Sequence, residues 1–507
     1  MNNRYQQILT TILLIVAVDI AVAANRYVAT SGTNTPNTCL TQSSPCLTLQ
    51  YAFSQMVSND VLIIADGLYA GAVNDLNNNI KNGSNGAYTI IRAQNDGGVV
   101  ITSEFLIGSD NTRKSYIEFH GLKINSANNK SIIGDHIKVF RTAFQGGPNG
   151  GNNSNLGIGT TDTAKAGSHH ILLEDVWSYG LGGRYNILIY NSEDIIVRRA
   201  VIRHDGGWTL NVSSDPESGI VIYNSSRVQL QNVIVLDSIA DSVNWASAFY
   251  NVNNGNNSFV RHDSTRTVGS LAINNNNNNT SFPCTGSGCV SNGTGFAWDD
   301  SLTMTNASLE NSVAYNSGTS ITSNGADKFV TINNVTLYGG AGDGIAKYGN
   351  GGAFTVRNTI INGKAGKAFN SGVSATNTTN VFCSNIVGAT TACDTVNTTT
   401  PASNGLIYLP RTESGGYFSN NNLGANIIFK TGTSGTYYGD TGYDIDTTDA
   451  LWPWPYQDRI AADMCPVRNS GLCATTLTTY IWGLLGAAVP TEFAAMPTPA
   501  NFSVTKN

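Results

Sequence analysis

Apolar and polar residues alternate in short runs along the chain, and each run ends at a small or polar residue. Ile187-Leu188-Ile189-Tyr190 and Ile220-Val221-Ile222-Tyr223 keep period two and stop, as half-buried strands do. A second pattern recurs: an apolar residue, a variable one, a small or Asn/Asp residue, then apolar positions in alternation. Examples are Phe119-His120-Gly121-Leu122, Leu173-Glu174-Asp175-Val176 and Leu230-Gln231-Asn232-Val233. The third positions, Gly121, Thr142, Asp175, Arg199, Asn232, Asn311, Asn334, Asn358 and Asn385, are separated by 21 residues from Gly121 to Thr142 and by 24 from Asp175 to Arg199. Strands this short cannot bury themselves, so successive units must stack and pair strand on strand. The predicted class is all-β, a β-solenoid. A leucine-rich repeat has a similar period, but its Leu-x-x-Leu-x-Leu frame is absent.

Composition agrees with a chain of strands and bends. Of 507 residues, 53 are Gly and 61 are Asn, residues that favour turns over helices. The net charge is −6 with only 12% charged residues, which excludes a nucleic-acid-binding module because neutralising phosphates needs clustered Lys and Arg. Arg4, an apolar run over residues 8–18 and Ala21-Val22-Ala23 read as a signal peptide over residues 1–23, too short to span a bilayer comfortably. A secreted protein, extracellular or periplasmic and free of the membrane once the signal is removed, is expected. Eight cysteines form four close pairs, Cys39/Cys46, Cys284/Cys289, Cys383/Cys393 and Cys465/Cys473, expected as disulfides pinning exposed turns.

Arg26-Tyr27-Val28-Ala29, Pro45-Cys46-Leu47-Thr48-Leu49-Gln50-Tyr51-Ala52 and the run from Asp60-Val61-Leu62-Ile63-Ile64 to Gly67-Leu68-Tyr69 resemble the entry segment of right-handed parallel β-helix proteins of the pectate-lyase-like superfamily. The resemblance spans residues 25–400. It implies a right-handed parallel β-helix over residues 24–400 with a short capping helix at residues 48–57. Residues 401–507 form an irregular, aromatic-rich extension in which Trp452-Pro453-Trp454-Pro455-Tyr456 and Tyr480-Ile481-Trp482 are expected to pack on the solenoid. The superfamily holds lyases, hydrolases, esterases, adhesins and structural proteins, so activity does not follow from fold. Its Gly-His-Gly, Arg-Ile-Lys and Trp-Ile-Asp-His patterns are missing here, and no catalytic residue carries over.

Strand alternation sends Ile187, Ile189, Ile220 and Ile222 inward and leaves Tyr190, Tyr223, Asp299 and Tyr348 outward on the first strand of their coils. In resembling enzymes the substrate groove lies along this sheet. A tyrosine row suits a sugar polymer, with flat faces for pyranose rings and hydroxyls for their substituents; it serves equally as an aromatic stack that stabilises coils. Arg184 joins Tyr190, Tyr223 and Tyr348 as a candidate substrate contact. Candidate catalytic residues are Arg203, His204, Asp299 and Lys347, with Ca²⁺ considered on Asp237 and Asp241. Elimination on a uronate polymer is slightly preferred over hydrolysis, which needs two flanking carboxylates. The expected partner is an acidic polysaccharide or cell-surface glycan; the alternative is a non-catalytic surface, matrix or adhesin-like protein. Residues 251–280, rich in Asn, read as a flexible loop or a polar ladder.

Overall fold

A computed structural model describes residues 454–484 and residues 23–397, apart from 149–150, 181–182, 206–216, 240–245, 254–264, 276–292, 302–306, 311, 325–328, 334, 349–352, 371–377, 385, 387–392 and 394. Each full coil contributes one strand to each of three sheets. Among the described residues, nine strands, from Phe105–Ile107 to Ile345–Tyr348, make sheet I. Sheet II runs from Asn25–Val28 through Lys114–His120, His169–Glu174 and Ser226–Gln231; sheet III runs from Gly67–Tyr69 through Trp177–Tyr179 and Ile234–Leu236. Every pairing between these strands is parallel and joins a strand to its counterpart one coil on, as Tyr185–Tyr190 pairs with Ser154–Gly159 and Glu217–Tyr223. The chain is a right-handed parallel β-helix, the hand that parallel crossovers take almost without exception.

The interior is built from columns of like residues. Ile117, Ile137, Ile171, Ile195 and Val228 are consecutive partners in sheet II. Leu156, Ile187, Ile220, Phe249, Phe296, Ile321 and Ile345 do the same in sheet I. All of them are buried in one continuous cluster. Sheets II and III meet at left-handed residues stacked through backbone hydrogen bonds, Gly121, Arg141, Asp175, Arg199, Asn232 and Gly269. The bend therefore falls on Arg141, not on Thr142; Thr142 is fully buried and its hydroxyl donates to the Phe140 carbonyl. Left-handed arginines are uncommon, and both have carboxylate partners: Arg141 bonds Asp96 at 2.5 Å and Arg199 bonds Asp175 at 2.7 and 2.8 Å. Of the remaining repeat positions, Asn311, Asn334 and Asn385 lie outside the described residues.

Helix α1 (Leu49–Gln55) closes the N-terminal end; the Thr48 hydroxyl accepts from the Tyr51 N–H, and Leu49, Ala52 and Phe53 are buried. Residues 251–280 are not one long loop. They finish the sheet I strand Ala246–Asn253 and contain Thr265–Val268 and Leu271–Ile273, so the Asn-rich stretch carries most of a coil. Three cysteine pairs are disulfides, Cys39–Cys46, Cys383–Cys393 and Cys465–Cys473; Cys284 and Cys289 lie outside the described residues.

Within the expected extension, residues 454–484 hold α2 (Gln457–Met464), a 3-10 turn (Gly471–Ala474) and α3 (Leu477–Leu484); the rest of residues 401–507 lies outside the described residues. Trp454, Ile460, Met464, Leu477, Ile481 and Trp482 pack on the outer face of sheet III, against Trp177, Tyr179, Val201, Ile234 and Leu271.

Two buried lysines fix corners between sheets III and I. Lys130 donates to the Ser126 carbonyl and to Asn155 Oδ1, both at 2.8 Å. Lys364 donates to the carbonyls of Ser317 and Gly318 and to the Ser320 hydroxyl. Burial pushes both amines down to about 7. Between that value and the ordinary 10.5 the unfolded chain binds more protons than the folded one, so their contribution makes stability rise with pH across this window. Urea midpoints are expected to show a steeper rise from pH 7 to 9.5 for the wild type than for Lys130→Met, the gap amounting to roughly 1–3 kcal/mol. Parallel pH profiles would contradict this assignment.

Candidate functional site

Two outward columns run along sheet I. One is Gly157, Leu188, Val221, Tyr250, Ala297, Thr322 and Ala346; the other is Gly159, Tyr190, Tyr223, Val252 and Asp299. Tyr190 and Tyr223 are direct partners in adjacent coils, their ring centroids 4.7 Å apart and tilted by 37°. Both are half-buried, whereas Tyr185 and Tyr250 beside them are nearly enclosed. These side chains form a small apolar cluster of their own, with Val221, Val252, Ala297 and Leu188, on the face opposite the core.

Polar groups border this patch. The Arg184 guanidinium lies 4.8 Å from the centre of the Tyr185 ring and donates to Asn152 Oδ1 at 2.6 Å. Tyr250 donates its hydroxyl to Asp299 Oδ2 at 2.7 Å. Burial first and then the Asp299 charge push the Tyr250 phenol well above its ordinary value, so it stays a neutral donor. Burial and the neighbouring Tyr223 likewise raise Tyr190. The patch thus offers two partly exposed rings, one cation and one acid–phenol pair.

Not every candidate read from the sequence belongs to it. Arg203 is fully buried, and its guanidinium bonds Asp205 at 2.9 Å, the Met464 carbonyl at 2.8 Å and the Arg468 carbonyl at 3.1 Å. Its work is holding the C-terminal segment. His204 is also enclosed; its Nε2 donates to the Gly183 carbonyl at 3.0 Å, and burial keeps its pKa below the usual imidazole value. A neutral, enclosed imidazole bonded to backbone positions the turn and does not reach the outer face. Lys347 continues the inward column of Ile158, Ile189, Ile222, Asn251, Trp298 and Ser323, on the opposite side of the strand from the tyrosines. Of the four catalytic candidates, Asp299 alone is on the patch.

Asp237 is not arranged as a metal ligand. It sits at a left-handed bend between sheets III and I, where its Oδ1 accepts from Tyr480 at 2.6 Å and from Asn274 at 3.1 Å. Asn316 extends this ladder by donating to Asn274. Asp241 lies outside the described residues, as does the side chain of Tyr348, whose backbone ends the strand Ile345–Tyr348. Sequence reasoning missed Tyr250. Its strand reads Ala248-Phe249-Tyr250-Asn251, where Phe249 takes the inward place held by Ile220 one coil before; that alternation was the available signal.

No protein-family model matches this chain, and no curated protein matches it. Solved structures with similar architecture include "pectate lyase Pel9A" (13% identity, 80% of this chain and 88% of that one, TM-score 0.40). "Rhamnogalacturonan lyase" matches at 13% identity over 72% and 75%, TM-score 0.36. The "pre-mature bacteriophage phi29 gene product 12" matches at 14% identity over 68% of this chain and 52% of that one, TM-score 0.41. At these identities and scores no residue role or activity transfers from them.

Proposed function

We propose that this chain is a secreted polysaccharide-binding β-helix, with the outer face of sheet I as the binding surface. The observation that carries the proposal is the registered pair Tyr190 and Tyr223, stacked one coil apart and half-exposed. Rings at successive coils give a flexible polymer consecutive apolar faces at fixed spacing, and their hydroxyls meet ring substituents. Arg184 at the edge adds a contact for a carboxylate-bearing sugar. The apolar run over residues 8–18, the Ala21-Val22-Ala23 site and the disulfides support export to an oxidising compartment. No helix among the described residues is long and apolar enough to cross a membrane.

Binding is preferred to cleavage because Arg203, His204 and Lys347 do not share the tyrosine face. Eliminative cleavage is the second reading, favoured by one observation: a carboxylate, Asp299, stands on the same outward column as the two rings and accepts from the Tyr250 hydroxyl. Purified protein is to be titrated with neutral and uronate polysaccharides, with ultraviolet absorbance of unsaturated product and new reducing ends followed in the same samples. Saturable binding without product is the expected outcome. Product that disappears in Asp299→Asn would establish the second reading, and failure to bind any polymer would remove the proposal.

A further inference from the structure

Three of the six histidines in the chain converge on strands of sheet II, outside the tyrosine patch. His136 and His170 occupy left-handed positions in adjacent coils, and their rings stack at 4.6 Å and 8°. Tyr116 stacks on the other side of His136 at 4.4 Å. His169 stands edge-on to both imidazoles. One nitrogen from each histidine lies within 4.8 Å of the others, and His169 Nδ1 is 2.9 Å from His170 Nδ1. Non-glycine residues at positive φ cost free energy. Here the same register position pays that cost in Tyr116, His136, His170, Asp194 and Arg227.

We propose that His136, His169 and His170 bind a borderline transition-metal ion, with Zn²⁺ the natural occupant. Imidazole nitrogens suit Zn²⁺, Cu²⁺ and Ni²⁺ and suit Ca²⁺ or Mg²⁺ poorly. Zn–N bonds of ~2.05 Å put tetrahedral ligand atoms ~3.3 Å apart, within the 4.8 Å that bounds one nitrogen from each ring here; because imidazole lone pairs lie in the ring plane, the stacked His136 and His170 rings turn about their side-chain bonds to converge on the ion. A second feature points the same way. Asp135 Oδ2 lies 2.9 Å from His136 Nδ1; a carboxylate can only accept, so the proton sits on Nδ1 and the lone pair on Nε2. A histidine whose second nitrogen donates to a carboxylate is the usual orienting arrangement behind a metal ligand. All three rings are half-buried, which leaves the ion a route in. Three protein ligands leave a fourth position for water or for a donor on a partner molecule.

The test uses untagged, chelator-stripped full-length protein titrated calorimetrically with Zn²⁺. Saturable binding of a single ion is expected, weakened at least about tenfold by His169→Ala or His170→Ala and unchanged by His120→Ala. In parallel, the unaltered protein is treated with diethyl pyrocarbonate with and without Zn²⁺ and mapped by mass spectrometry. Zn²⁺ should protect His136, His169 and His170 and leave His120 as reactive as before. No saturable binding, binding retained by folded variants, or equal modification with and without Zn²⁺ would each overturn the proposal and leave the cluster as an aromatic stack.

Discussion

Asp205→Ala is expected to be the most damaging single substitution in the described structure. Asp205 is buried and accepts from two guanidiniums, Arg203 at 2.9 Å and Arg468 at 2.6 Å, and from the Gly180 N–H at 2.8 Å. Burial pushes its carboxyl up, but the two arginines outweigh that effect and hold it below the usual carboxylate value. Removing the acid strands two enclosed cations, a loss of about 3–5 kcal/mol. Because Arg203 also holds the carbonyls of Met464 and Arg468, and Arg468 holds the Asp237 carbonyl, the damage should appear first as release of the C-terminal helices. Trypsin cleavage after Arg459 and Arg468, together with the urea midpoint, reads this directly. Early cleavage and a lowered midpoint are expected; wild-type cleavage with a midpoint change under about 0.5 kcal/mol would contradict it. The sign with pH follows from the lowered pKa: this stabilisation is present above the ordinary value of 3.8 and is lost as acid protonates Asp205 in the folded state.

The second large effect concerns binding. Truncating both rings in Tyr190→Ala/Tyr223→Ala removes the two half-exposed tyrosine rings of the patch. At about 1–2 kcal/mol per ring, the double variant should bind the polysaccharide roughly 30- to 1000-fold more weakly. Tyr190→Phe/Tyr223→Phe keeps the faces and loses only the hydroxyls, so it should fall between the two.

The path of the backbone was legible because the repeat is enforced by physics at every coil. Ile187, Ile189, Ile220 and Ile222 alternate strictly, and a slip of one residue would turn the whole core face to solvent. The same alternation put Tyr190, Tyr223 and Asp299 on one outward column, where the structure has them. The exact bend was less legible: Arg141 and Thr142 both fit a turn template, and the left-handed backbone of Arg141 with its N–H bond to the Glu174 carbonyl distinguishes them. The strand holding Tyr250 was hidden because its Asn251 and Asn253 merge into the polar run that follows.

Arg203 and His204 were misread for a different reason. A charged cluster just after a strand looks solvated, and nothing local announces that Arg468, 263 residues beyond Asp205, closes over it. Long-range cover is invisible to periodicity. The histidine cluster was hidden likewise: His136 and His170 are 34 residues apart in sequence, and they become neighbours only because they sit one turn apart on directly paired strands.

The central claim, that sheet I tyrosines serve a glycan and not merely coil stacking, is best tested against an internal control. Tyr315 and Tyr338 stack at 5.5 Å and 9° in adjacent coils of sheet III, where the C-terminal segment packs. Polysaccharide affinity and melting temperature are to be measured side by side for Tyr190→Ala/Tyr223→Ala and Tyr315→Ala/Tyr338→Ala. The account predicts that only the first pair loses affinity, while the second loses stability and binds as the wild type does. Equal affinity in both folded variants would contradict it.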